Sequence, residues 1–181
     1  MDLYFALLTF FLINYMMDPI GNVPAFISII KKDRRRKAVK YLLICLIIIL
    51  SFAFIANLLF KLFSIAIKIF RIVAGILLVI LGIKMIFLKH KELRPLPFII
   101  SLYAGPGVIT TTIYMLSKAD GLEEEIFVYI TVFLATLFSW ICIALYERYK
   151  KYFEGIIKYA INWKALLLII FGTYFIIDAI F

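Results

Sequence analysis

Most of this chain consists of apolar stretches of 20 or more residues, separated by short charged clusters. About 20 apolar residues in a helix cross a hydrocarbon core of about 30 Å, so the pattern restricts the chain to a bundle of membrane-spanning helices. Composition agrees. Of the 181 residues, 66% are hydrophobic and 17% charged, with a mean hydropathy of +1.09, whereas a soluble domain is about half apolar and about a quarter charged. A water-soluble globular domain is excluded. The net charge of +9 lies between the apolar segments and forms no basic face, so we expect no nucleic-acid partner. Cys45 and Cys142 each sit inside an apolar stretch, and no CxxC or Cys/His spacing offers a metal framework. No cofactor is expected.

A window of about 19 residues gives six spans, near 3–30, 38–60, 65–88, 95–117, 126–146 and 157–181. The basic residues between them fall in alternate connections. Lys31, Lys32, Arg34, Arg35, Arg36, Lys37 and Lys40 follow span 1; Lys84, Lys89, Lys91 and Arg94 follow span 3; Arg148, Lys150, Lys151 and Lys158 follow span 5. Cytoplasmic loops accumulate lysine and arginine. The expected topology is therefore a multi-pass plasma-membrane protein with basic cytoplasmic loops and both termini outside. No lysine or arginine precedes Lys31, so the first apolar segment is expected not to be a cleaved signal peptide.

The sequence also matches itself. Pro19 and Pro106 lie 87 residues apart, and each is followed twelve residues later by a lysine that ends the apolar run, Lys31 and Lys118. At a shift of 90, Ile67-Lys68 falls on Ile157-Lys158 and Gly82 on Gly172. We read a single membrane domain over 1–181, built from halves 1–90 and 91–181. Three spans per half make the second half enter from the opposite side, giving a 3+3 inverted repeat of six transmembrane helices, an architecture recurrent in secondary transporters.

Spans 1 and 4 are interrupted. Asp18-Pro19-Ile20-Gly21-Asn22-Val23-Pro24 breaks the first, and Ala104-Gly105-Pro106-Gly107 breaks the fourth. Proline removes a backbone donor and clashes with the preceding turn, so helices 1 and 4 are expected to be broken. About 11 residues follow each break before the span ends, or about 16 Å of helix, which puts both breaks near the midplane. Irregular backbone at that depth must be packed in protein or line a wet cavity. The half-helices that start there offer free amides and the positive end of the dipole to an anion. Asp18 is the acidic residue placed at mid-membrane, which marks a functional site by default. Asn22 accompanies it, with Thr110, Thr111 and Thr112 one turn beyond the second break. The structural alternatives are an Asp-Pro N-cap, a Gly-Pro-Gly that only permits close packing, and threonines that bond back to their own helix.

Three segments resemble the MarC family of bacterial and archaeal membrane proteins, also described as the neutral amino acid transporter (NAAT) family, which includes SnatA-like transporters. Residues 17–26, MDPIGNVPAF, resemble its DP-x-GN-x-P motif; residues 102–111, LYAGPGVITT, resemble AGPG-x-I-T-T; residues 70–78, FRIVAGILL, resemble the opening of its third span. The resemblance runs in order along the whole chain. Ser101 departs from an expected proline, Ala74 from one glycine of a pair, and Asn162-Trp163-Lys164 from a glycine early in the last span. It implies a secondary active transporter of small neutral amino acids such as alanine, glycine or serine, working by alternating access. The binding residues would be Asp18, Pro19, Gly21, Asn22, Gly105, Pro106, Gly107, Thr110 and Thr111. Protons are the simplest coupling ion because Asp18 can titrate, and sodium stays open. An exporter of amino acids or other small metabolites, and a membrane protein without transport activity, are the alternatives. An enzyme is not expected, since His90, the one histidine, lies between Lys89 and Lys91 in a loop. A homo-oligomer formed through lipid-facing surfaces is compatible with so small a chain.

Overall fold

The computed structural model describes residues 2–23, 26–27, 34–62, 66–87 and 103–180. Among these residues the chain is helical, with no strand. The helices are α1 (Leu3–Met17), α2 (Arg34–Leu62), α3 (Ala66–Phe87), α4 (Pro106–Lys118) and α5 (Leu122–Ile180). The first half of the expected fourth span and the connections at 28–33 and 88–94 lie outside the described residues.

Two segments are long and apolar enough to cross a membrane by length and composition, Ala38–Phe60 and Leu122–Tyr146, and two shorter apolar helices are Leu3–Met17 and Ala165–Ile180. Only 28% of the most apolar window of Ala38–Phe60 is buried, so that helix is not the core of a soluble domain. Its exposed face carries Leu43, Ile47, Phe54, Ile55 and Leu58. An apolar surface of that extent needs a lipid covering. The core beneath is built from Leu12, Ile13, Met17, Ile49, Leu78, Met115 and Phe175, all fully buried.

The sequence reading places a loop between the last two spans. Instead the charged segment is helical on both sides of a kink at Tyr149 (φ −120°, ψ 25°), so α5 consists of two helical arms joined there. No proline occurs between 122 and 180, so the helix meets no obligatory breaker. The chain turns near Tyr149 and the second arm returns, bringing Asp178 against Lys118, which lies just before α5 begins.

Several polar contacts between helices gather at one end. The Asn57 side-chain amide donates to Glu125 (2.8 Å) and the Asp2 backbone amide to Glu124 (3.3 Å). Arg71 donates to the hydroxyl and carbonyl of Ser117, and Asp178 accepts from Lys118 Nζ (2.6 Å) and the Tyr114 hydroxyl (2.9 Å). The start of α1, the end of α2, the start of α3, the end of α4 and both ends of α5 therefore share this end.

The most extensive packing joins α3 to α5. It is antiparallel and uses small residues, as close helix packing in membranes does. A Cβ on Gly75 would lie 2.5 Å from the Gly172 carbonyl oxygen, and one on Gly172 2.7 Å from that of Gly75. Gly82 faces the Ala165 carbonyl and Ile169, while Gly172 faces the Gly75 carbonyl and Val79. A shift of 90 residues carries Gly82 to Gly172, Gly75 to Ala165 and Val79 to Ile169. The crossing thus has a local two-fold relation.

Candidate functional site

The first break is shaped by one carboxylate. Asp18 ends α1 in the left-handed conformation (φ 47°, ψ 64°), which costs most side chains about 1 kcal/mol and which aspartate tolerates best after glycine and asparagine. Its backbone amide donates to the Asn14 carbonyl, closing α1 (3.0 Å). Its Oδ1 accepts the Gly21 amide (3.0 Å) and its carbonyl accepts the Asn22 amide (3.2 Å). Asp18 is therefore both the end of α1 and the N-cap of the turn that follows, with Pro19 at the favoured first position. A Cβ on Gly21 would meet the Asp18 carboxylate, which would have to swing off the Gly21 amide to make room. Asn22, buried, returns its side-chain amide to the Met17 carbonyl (2.9 Å), and its own carbonyl accepts the Phe26 amide (3.0 Å). The backbone groups freed by the break are largely satisfied within it, as burial demands.

The second break is built the other way. Gly105 is the N-cap of α4, extended at φ −72°, ψ 169°, with no side chain capping the helix and Pro106 at its first position. Glycine has no side chain to accept from the first amides of α4. Gly107 sits in ordinary contact range of Leu78, Leu81 and Met16, with Cβ distances of 3.8 Å.

Three threonines follow, and they differ. Thr110 donates to the carbonyls of Pro106 (2.6 Å) and Gly107 (3.2 Å), and Thr112 to that of Val108 (2.8 Å). Both bond back to their own helix, the ordinary behaviour of hydroxyls in spans. Thr111, fully buried, has no hydrogen-bond partner among the described residues. Neither has the hydroxyl of Tyr103, two residues before the cap and also fully buried. Leaving such a group unsatisfied costs about 1–3 kcal/mol. Tyr103 meets Phe26 edge to face (centroids 5.5 Å apart) and lies in electrostatic reach of Asp18. It joins the two breaks and was not among the sequence-derived site residues.

The breaks also lie at one depth. α1 holds 15 residues and α4 13, about 22 Å and about 20 Å of helix at 1.5 Å per residue. Measured from the end where Asp2, Glu124, Lys118 and Asp178 gather, the two breaks are level. Arg71 of α3 is held at that same end by Ser117 and Asp178 (Nη1–Oδ2 3.8 Å).

These features define an α-helical integral membrane protein in which the end of α1 and the start of α4 come together in the interior. The chain belongs to the MarC family of integral membrane proteins, whose family profile matches residues 3–181. It is similar to the UPF0056 membrane protein MJ0972 of Methanocaldococcus jannaschii, 30% identical over 167 residues that cover 78% of this chain and 73% of the relative. The UPF0056 membrane protein MJ1677 of the same organism is 28% identical over 154 residues, covering 75% of each chain. No solved structure gives a significant match.

Proposed function

We propose that the protein is a secondary transporter of small neutral amino acids in the plasma membrane, with the two breaks forming its substrate site. The observation that carries the reading is the N-terminus of α4 at Gly105, which has no side-chain cap, beside two buried hydroxyls with no partner among the described residues, Tyr103 and Thr111. A substrate carboxylate takes the α4 amides, where dipole and free N–H groups favour an anion. Its ammonium pairs with the Asp18 carboxylate, which also accepts the Gly21 amide. The buried Tyr103 hydroxyl, with no partner among the described residues, donates to the substrate.

The same reading takes the chain as six spans in two inverted halves, 1–90 and 91–181, with both termini outside and the basic loops in the cytoplasm. The two-fold relation of the Gly82 and Gly172 contacts, at the shift of 90 seen in the sequence, supports the repeat. The gathering of helix ends that alternate in chain direction supports the up-and-down course. Rocking of one half against the other would open the site to each side in turn, with protons on Asp18 as the simplest coupling and sodium the competing choice.

Uptake of radiolabelled alanine, glycine and serine into proteoliposomes, with an imposed pH or sodium gradient, tests the reading. Gradient-dependent accumulation of at least one is expected, and the gradient that drives it names the ion. No accumulation by correctly inserted protein, under either gradient, would contradict it.

A further inference from the structure

Away from the breaks, α2 and the first arm of α5 leave an open apolar cleft of about 330 Å³ between them. Val39, Leu43 and Leu46 of α2 face Phe133, Leu137 and Trp140 of α5 across it. Thr136 also lines the cleft, but its hydroxyl donates to the Val132 carbonyl (2.9 Å). The walls are otherwise apolar, and most of them are exposed. The cleft extends about 10 Å along α2, seven steps of 1.5 Å, against about 15 Å for the hydrocarbon of one leaflet. Its dimensions suit one acyl chain.

Charge distinguishes one end of the cleft from the other. One turn before Val39 along α2 the sequence carries arginine at positions 35 and 36. On α5 the face of Phe133, Leu137 and Trp140 continues two turns forward to Arg148, which is exposed. The two helices run in opposite directions here, since the end of α2 meets the start of α5 through Asn57 and Glu125. Arginine therefore stands at the same end of both walls. Basic residues outnumber acidic ones around it, with only Asp33 among residues 31–40 and only Glu147 among 147–151.

We propose that this cleft binds one acyl chain of an anionic phospholipid, with the phosphate held at the arginine-bearing end. A zwitterionic lipid fills the same apolar walls but carries no net charge for the arginines to select, whereas anionic headgroups are drawn to basic residues at the membrane surface. Arginine also matches phosphate with paired donors. The site is independent of the transport reading, because neither Asp18 nor α4 lines it.

Trp140 in the wall provides the readout. In protein carrying Trp163→Phe, only Trp140 fluoresces as tryptophan. It is reconstituted in vesicles of equal phosphatidylglycerol and phosphatidylcholine, with acyl-chain bromines on one lipid or the other. Brominated phosphatidylglycerol should quench Trp140 as if its site occupancy were about threefold that of brominated phosphatidylcholine. Replacing Arg35, Arg36 and Arg148 together by Gln should make the two lipids equal. Equal quenching in the starting protein would overturn the proposal, and so would a preference that survives the triple replacement. The first comparison stands even if the triple variant does not fold.

Discussion

The two breaks lie level in the bundle and are constructed by opposite means. At the first, a charged side chain organises the turn: Asp18 caps Gly21, ends α1 and forces its own backbone into the left-handed region, and Asn22 ties the segment back to Met17. At the second, Gly105-Pro106 starts α4 with no side-chain cap, and the hydroxyls beside it, on Tyr103 and Thr111, have no partner among the described residues. The first break closes on itself and the second is left open. The difference separates two ways a membrane protein tolerates irregular backbone at depth, by internal satisfaction and by presenting the groups to a site.

The sharpest way to break this contrast is to add one methyl group at each. Gly21→Ala brings a Cβ against the Asp18 carboxylate, which must leave the Gly21 amide, and should destabilise the protein by about 1–2 kcal/mol. Gly107→Ala meets its neighbours only at 3.8 Å and should be neutral or up to about 1 kcal/mol stabilising. Thermal unfolding of the two variants in detergent checks the pair. Similar losses at both would remove the asymmetry.

Charge is separated from shape at Asp18 next. Asp18→Asn keeps the cap on Gly21 and the left-handed tolerance, so unfolding should stay within about 1 kcal/mol of the parent. Gradient-driven accumulation should fall at least about tenfold, the scale of one lost charge-assisted contact. Asp18→Ala should lose accumulation and a further about 1–2 kcal/mol of stability. An Asn variant that accumulates substrate normally would make Asp18 a purely structural cap.

Tyr103→Phe gives a prediction of opposite signs. Removing an unsatisfied buried hydroxyl relieves a desolvation cost, so stability should hold or rise by about 1 kcal/mol, while substrate affinity falls by about fivefold or more. Lower stability with unchanged affinity would show that the hydroxyl is an ordinary part of the core. The smallest effect is expected between neighbours: Thr111→Val should weaken substrate binding a few-fold, and Thr110→Val should leave it unchanged because Thr110 bonds to Pro106 and Gly107. Titrations of the two variants with alanine check the order.

Much of this was readable from the chain. Charged residues flank the apolar runs, so the expected spans at 38–60 and 65–88 fall within or beside α2 and α3 (Arg34–Leu62 and Ala66–Phe87). Proline and glycine marked both breaks because their effect on a helix is local. The missing parts depend on three-dimensional placement. A charged loop and a charged helix have the same composition, so the helical course of the segment on both sides of the Tyr149 kink was invisible. Three consecutive threonines point about 100° apart on a helix, and only packing decides which bonds back and which is left. Tyr103 is one of 11 tyrosines and reads as a residue of the interfacial belt until Phe26 and Asp18 are brought beside it. Arg71 and Asp178 are far apart in sequence and meet only because the second arm of α5 returns.

The central claim is that the open break receives a carboxylate. Counterflow isolates it: proteoliposomes are loaded with unlabelled alanine or with alaninamide, which keeps the ammonium and lacks the carboxylate, and entry of labelled alanine is followed. Internal alanine should drive entry and alaninamide should not. Equal counterflow from both would contradict a carboxylate at the N-terminus of α4, and no counterflow from internal alanine, glycine or serine would contradict the site itself.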